Sequence, residues 1–257
     1  MISIISNKKR LKQGIILLFW IAVWEGVALL VDNPIVLVTP TTVAKRMFSL
    51  VMTKSFYQVI GFSSLRILGG LCIAWTAGML AGTLAYKNSF IRELLAPIIN
   101  LIKTIPVASF VILALIWMGS ENLTFFVVFV VAMPIAYQGM ITGLSSAQKE
   151  LLEVANVFEF SLWKKIWYVY RPACIPFLIN SVRITIGLGW KSGIAGEVIG
   201  IPEHSIGERL YMAKISLETA DLFAWTLTMI LLSWIFERCV MKFLFTLSKD
   251  CYEEKRE

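Results

Sequence analysis

The chain is 257 residues long, 58% hydrophobic and only 16% charged, with a mean hydropathy of +0.75, which excludes a water-soluble globular domain. One histidine, His204, and four scattered cysteines, Cys72, Cys174, Cys239 and Cys251, provide no disulfide framework, zinc site or nucleophile–base set, so catalysis within the chain is not expected. The net charge of +7 is distributed between apolar stretches, without a basic domain or aromatic–basic repeat; this argues against nucleic acid and makes membrane topology its cause.

A bilayer-spanning helix needs about 20 apolar residues. Windows of that kind fall at 14–31, 67–86, 94–118, 123–144, 173–200 and 222–247. The expectation is an all-α polytopic membrane protein with six transmembrane helices. The first window follows Lys8, Lys9, Arg10 and Lys12 and also fits a signal peptide, but its length and the lack of a small-x-small cleavage site favour a retained helix. The chain then divides into an N-terminal tail (1–13), an additional N-terminal span (14–31), an extracytoplasmic connection (32–66), a core (67–247) and a C-terminal tail (248–257).

Orientation follows from the basic residues outside the windows. The N-terminal four, Lys87 and Arg92, then Lys149, Lys164, Lys165 and Arg171, and finally Lys249, Lys255 and Arg256 fall on one side. Only Lys45, Arg46, Lys54, Arg209 and Lys214 fall on the other. The excess places both termini and the 145–172 loop in the cytoplasm.

Within the spans, Gly70, Ala74, Gly78 and Gly82 recur every four residues, and Gly189, Gly193, Gly196 and Gly200 repeat the pattern in the fifth window. Such stripes let helix backbones approach closely. Pro97, Pro106, Pro134 and Pro176 lie within or at the edge of windows and permit kinks. Charges at membrane depth cost about 2.5–3.5 kcal/mol each on insertion scales and need a partner, water or a purpose. Arg66 and Glu237 lie close enough to predicted ends to snorkel. Arg183, Lys191 and Glu197 fall inside the fifth window, where Arg183, Gly187 and Lys191 stack at i, i+4 spacing. That face either lines a polar path or its cations form internal ion pairs with Glu197 or Glu25.

The 145–172 loop is the least membrane-like part of the core. Leu151, Ala155, Phe158, Leu162, Ile166 and Val169 recur at helical spacing, and Ser161 is placed to cap a second helix, so two helices meeting near Glu159–Ser161 are expected. Pro172 is expected to close the segment before the next span. A helix pair between two spans either lies on the lipid surface or docks into a cytoplasmic partner.

In this loop the chain resembles the permease subunits of type I ATP-binding-cassette (ABC) importers. Their signature is Glu-Ala-Ala, three residues, Gly, nine residues, then Ile-x-Leu-Pro. Here Glu153-Val154-Ala155, Val169 and Pro172 keep the frame, Arg171 stands at the Leu position, and Glu159 replaces the Gly. Loss of the residue that most easily adopts positive φ suggests altered geometry at that turn. Val38-Thr39-Pro40-Thr41-Thr42-Val43, Ser64-Leu65-Arg66, Lys103-Thr104-Ile105-Pro106, Trp117-Met118-Gly119, Ser181-Val182-Arg183 and Ala195-Gly196-Glu197 narrow the likeness to the nitrate/sulfonate/taurine-type branch, over about residues 36 to 245.

The resemblance implies a type I importer permease fold in a bacterial plasma membrane. It also implies a second permease copy or a paralogue, an extracytoplasmic substrate-binding protein, and two ABC ATPase subunits gripping the chain at Glu153, Ala155, Phe158, Glu159, Leu162 and Pro172. Arg183, Gly187, Lys191 and Glu197 become candidates for the path of a small solute, either an anion such as nitrate, sulfonate or taurine or a thiamine-precursor-like heterocycle. No cofactor is expected in this chain: it has no Gly-x-x-x-x-Gly-Lys-Ser/Thr phosphate loop, so ATP would be bound by the partner. The loop Pro202–Asp221, with Gly207 and Tyr211, suits either a cap for the binding protein or an ordinary solvated loop. Rival readings are a self-contained secondary transporter or channel subunit, an energy-coupling-factor-type scaffold and, last, a membrane enzyme.

Overall fold

A computed structural model describes the backbone of residues 2–253 and the side chains of 11–246. The basic side chains counted in both tails, apart from Lys12, and Cys251 lie outside the described side chains. The helices are α1 Ile2–Val31, α2 Pro40–Val51, α3 Lys54–Lys87, α4 Ser89–Thr104, α5 Val107–Ser145, α6 Lys149–Val157, α7 Leu162–Lys165, α8 Arg171–Gly200, α9 Ile206–Ile215 and α10 Thr219–Glu253. A π-helical turn, Ile166–Tyr170, joins α7 to α8, and there is no strand among the described residues. Thr39, Thr53, Asn88, Ser161 and Ser205 cap α2, α3, α4, α7 and α9 through side-chain oxygens that accept backbone N–H bonds.

Five helices are long and apolar enough to cross a membrane: Leu11–Val31, Lys54–Lys87, Val107–Ser145, Leu162–Gly200 and Thr219–Thr246. The third expected span, 94–118, is a composite. It begins in α4, breaks at Ile105–Pro106, where proline cannot donate, and continues as the first turns of α5. At one end Ile99 packs with Ala85, Tyr137 and Ile141, and at the other Val111 and Ala114 pack with Leu123 and Val127. The two pieces therefore run the full depth of the bundle. Gly119, at φ 70°, then reverses the chain into the rest of α5, a conformation that a residue with a Cβ adopts only at a cost. The second span also starts earlier than its apolar window, because α3 begins at Lys54 and puts Arg66 inside a helix rather than at its end.

Contacts of the small residues fix the register. Gly70 faces Phe125 and Val128, Gly78 faces Met133 and Ala136, and Gly82 faces Tyr137 and Met140, so α3 and the second part of α5 run parallel. Gly143 faces Cys174, Gly139 faces Ser181, and Gly200 faces Leu123, so α8 runs antiparallel to both. Gly189 and Gly193 admit Leu71 and Ile67 of α3 together with Val128 of α5. This three-helix unit buries Ile67, Leu71, Ala74, Val128, Ile186 and Trp190 as its core. Trp75 Nε1 donates to Thr185 Oγ1 at 2.8 Å across it.

α1 and α10 sit outside the unit. α1 is almost entirely exposed, as expected of a helix bathed in lipid, and is fastened at its C-terminal end, where Trp24 Nε1 donates to the Val38 carbonyl (3.1 Å) and Thr41 Oγ1 to Glu25 (3.1 Å). Arg46 pairs with Asp221, tying α2 to the start of α10. Among the described residues, α1 ends and α10 begins at the end of the bundle opposite α6 and α7.

A Cβ on Gly78 would lie 2.6 Å from Ala136 Cβ and 2.8 Å from the Met133 carbonyl, whereas one on Gly187 meets nothing within 4 Å. Gly78→Val is expected to lower the thermal unfolding midpoint in detergent by the equivalent of about 2–3 kcal/mol, the upper range for overpacking. Gly187→Ala should change it by no more than about 0.5 kcal/mol; equal effects would refute the assigned register.

Candidate functional site

The loop between α5 and α8 folds as the expected helix pair. Glu159 itself adopts φ 50°, the left-handed conformation that a glycine reaches most easily. The Phe160 N–H donates to the Ala155 carbonyl (2.9 Å) and the Glu159 N–H to that of Asn156 (3.0 Å), the paired bonds of a Schellman cap ending α6. A left-handed non-glycine residue costs about 1–2 kcal/mol, and these two bonds together with the Phe160–Ala155 apolar contact offset it. Across the turn Ser161 Oγ accepts the Lys164 N–H (3.5 Å), and Lys165 Nζ donates to Asn156 Oδ1 (2.7 Å), clasping α7 to α6.

Pro172 does not close the segment as expected. The helix runs unbroken from Leu162 to Gly200, and the π turn explains how. A proline in a regular helix strikes the carbonyl four residues earlier, here Tyr168; widening the preceding turn, so that the Arg171 N–H reaches back five residues to Ile166, relieves the clash. α7, the π turn and α8 thus form one continuous arm, with α6 folded back against it.

The helical set read from the sequence divides in two. Ala155 and Val169 are buried with Ala147 in a small local core. Phe158 (71% exposed) and Leu162 (78%) instead join Val157 (80%) and Trp163 (77%) in an uncovered apolar tip. Glu153 and Glu159 are exposed beside it, and Pro172 is half-buried at its root. Val157 and Trp163 fall off the periodic pattern, which is why the sequence reading missed them; a large apolar residue next to a capping serine was the available signal.

The charged residues of α8 separate by face. Arg183, Gly187 and Lys191 share its open side with Ile184 and Leu188. Glu197 points the other way and is fully buried. The ion pairs considered from sequence, with Glu197 or Glu25, do not form: Arg183 pairs with Glu237 of α10 (3.4 Å), while Glu25 binds Thr41. The α10 carboxylate was read as a snorkelling end group because the sequence does not reveal that α8 and α10 run side by side.

Glu197 is a fastening for the opposite end of the bundle. Its Oε2 accepts from Ser63 Oγ of α3 (2.8 Å) and from the Gly207 N–H of α9 (3.0 Å), and Ser63 Oγ accepts the Ile206 N–H (2.8 Å). Gly207 lies so close that a Cβ there would sit 2.2 Å from that of Glu197. Nearby, Arg66 pairs with Glu121, whose other oxygen accepts the Glu203 N–H (3.2 Å). The 201–221 segment therefore carries a helix, α9, and is pinned to α3, α5 and α8 rather than loosely solvated.

The family model for the binding-protein-dependent transport system inner membrane component matches residues 74–241. The chain is 24% identical over 218 residues to the taurine transport system permease protein TauC of Escherichia coli (strain K12), covering 80% of this chain and 79% of that one. It is 24% identical over 207 residues to the putative aliphatic sulfonates transport permease protein SsuC of Bacillus subtilis (strain 168), covering 79% and 74%. Among solved structures, an inward-facing conformation of the MetNI methionine ABC transporter contains a chain of the same fold, with TM-score 0.58 and 16% identity over 77% of this chain and 98% of that one.

The turn at Glu159 offers a local test by amide hydrogen exchange at Phe160, whose N–H closes the cap. Glu159→Gly should raise its protection severalfold and Glu159→Val lower it by tenfold or more, since a β-branched residue tolerates positive φ worst.

Proposed function

This chain belongs to the binding-protein-dependent transport system inner membrane component family, and from that premise we propose that it forms the path by which an ATP-driven importer carries a small anion, a sulfonate of the taurine class, across the bacterial plasma membrane. The observation that carries the proposal is the apolar tip Val157, Phe158, Leu162 and Trp163, exposed at the end of an arm continuous with α8. A groove on an ABC ATPase subunit covers such a tip by burying its aromatic anchors. The exposed Glu153 and Glu159 carboxylates supply charge at the rim of that contact.

ATP acts from outside this chain. Binding and hydrolysis in the ATPase pair move the tip; because α6 and α7 are clasped to each other and α7 runs without a break into α8, the movement tilts the α3–α5–α8 unit as one body. Access to the path then alternates between the two faces of the membrane. The basic excess at the end carrying the tip sets that end in the cytoplasm together with both termini. At the far end, α9 and the 201–205 turn, held by Glu197, Ser63 and Glu121, make a stiff seat for the extracytoplasmic binding protein.

The open face of α8 lines the path, completed by a second copy of the chain. Arg183 is partly neutralised by Glu237, which leaves Lys191, with Gly187 beside it, as the cation that attracts the anion. Glu197 takes no part in this face. The sulfonate class comes from the two permease relatives, whose names carry taurine and aliphatic sulfonates.

Phe158→Asp and Trp163→Asp are each expected to weaken retention of the ATPase subunits on purification by about 2 kcal/mol, roughly thirtyfold, and to abolish ATP-dependent uptake in proteoliposomes. The bundle itself should melt as the wild type does, because both side chains are solvent-facing. Robust solute flux through the chain alone, without any ATPase, would support a self-contained carrier or channel instead.

A further inference from the structure

Where α3 and α8 part toward the coupling end, they leave a cleft of about 660 Å³ bounded by α3, α5, the coupling pair and α8. It shares Arg171, Ile175 and Leu178 with an almost wholly apolar cavity of about 640 Å³ that runs deeper between α3, α8 and α10. Both volumes suit a small-molecule ligand. The deep part is walled by residues such as Leu68, Trp75, Met79, Ile179, Phe236 and Val240. The outer part is rimmed by three cations from three elements, Lys87, Lys165 and Arg171, and among the described residues no carboxylate lines either chamber. The acidic residues of the adjacent α6, Glu150 and Glu153, lie outside the lining.

We propose that this cleft binds one membrane phospholipid with an anionic headgroup, its phosphate at Lys87, Lys165 and Arg171 and an acyl chain laid along Ile175 and Leu178 into the apolar chamber. The charge pattern selects this occupant: a basic rim over an apolar channel is complementary to a phosphate joined to hydrocarbon, and basic pockets between spans at an interface are where such headgroups collect. Two of the three cations are already held in place. The Arg171 guanidinium stacks on Trp167 at 4.0 Å, and Lys165 is oriented by Asn156. That placement lowers the ordering cost of binding. A lipid in this cleft touches the coupling pair through Leu152, Leu162 and Ile166 and α3 through Thr83 and Tyr86. It fills the space between the α6–α7 pair and α3.

The test is native mass spectrometry of the full chain after detergent exchange from nanodiscs holding equal amounts of phosphatidylglycerol and phosphatidylcholine with matched acyl chains. One phosphatidylglycerol retained per chain, with little phosphatidylcholine, is expected. Combining Lys87→Gln, Lys165→Gln and Arg171→Gln should remove the preference, by about fivefold per cation lost. Lys164→Gln, the exposed neighbour outside the lining, should leave it unchanged. Leu178→Phe keeps all three cations while narrowing the channel, and should reduce retention of both lipids. Equal retention of the two lipids by the wild type, equal loss from Lys164→Gln, or undiminished retention in Leu178→Phe would each overturn the proposal.

Discussion

The close approach of three helix backbones is the constraint from which the rest of the structure follows. Between apolar helices in lipid there is little hydrophobic gain from association, so contact must come from packing at short range. Gly70, Gly78 and Gly82 let α3 lie against α5 at distances where a Cβ would collide with backbone atoms, and Gly189 and Gly193 let α8 receive Leu71 and Ile67. A unit packed this tightly resists internal sliding, because any shift drives side chains into backbone. Motion imposed at one end must then be carried to the other or break the packing.

Each end of that unit is fastened differently. At the coupling end the fastening is continuous backbone: α7, the π turn and α8 form one helix, and the wide turn absorbs Pro172 without a hinge. At the opposite end it is polar, with a fully buried glutamate joining α3, α8 and α9 and an Arg66–Glu121 pair securing the 203 backbone. Breaking such a buried network leaves polar groups without partners in an apolar setting, which makes it an all-or-none connection. Among the uncovered surfaces are an apolar tip, one basic face of α8 and most of α1, which suit a motor subunit, a second copy and lipid respectively.

Much of this was legible in the sequence. Apolar windows located all six crossings and the small-residue stripes marked the helices that pack, because both signals are periodic and local. Ser161 is a cap whose chemistry is local too. In the third crossing, Pro106 marked a place for a kink, but the full break into two helices was not legible, since windowed hydropathy averages over Ile105–Pro106. Pairings across the bundle were also hidden: nothing near Arg183 in the chain names Glu237 as its partner, and nothing near Glu197 names Ser63, 134 positions away. At Glu159 the residue type argued for changed geometry, yet the cap bonds and the Phe160 contact held a non-glycine residue in the left-handed conformation. Local preference was outweighed there by the bonds it would have had to give up.

The central claim is that the tip and the far end of the α3–α5–α8 unit move as one body. Spin labels at Lys164 and Tyr57, both exposed and at opposite ends of that unit, read it directly by pulsed dipolar spectroscopy in a background with the native cysteines replaced. The measurement compares the complete transporter in nanodiscs without nucleotide and trapped with ATP and vanadate, with a third label on the ATPase partner confirming that the trap has formed. The account predicts that the distance within each chain is the same in both states; a clear change in it as the ATPase closes would contradict the account.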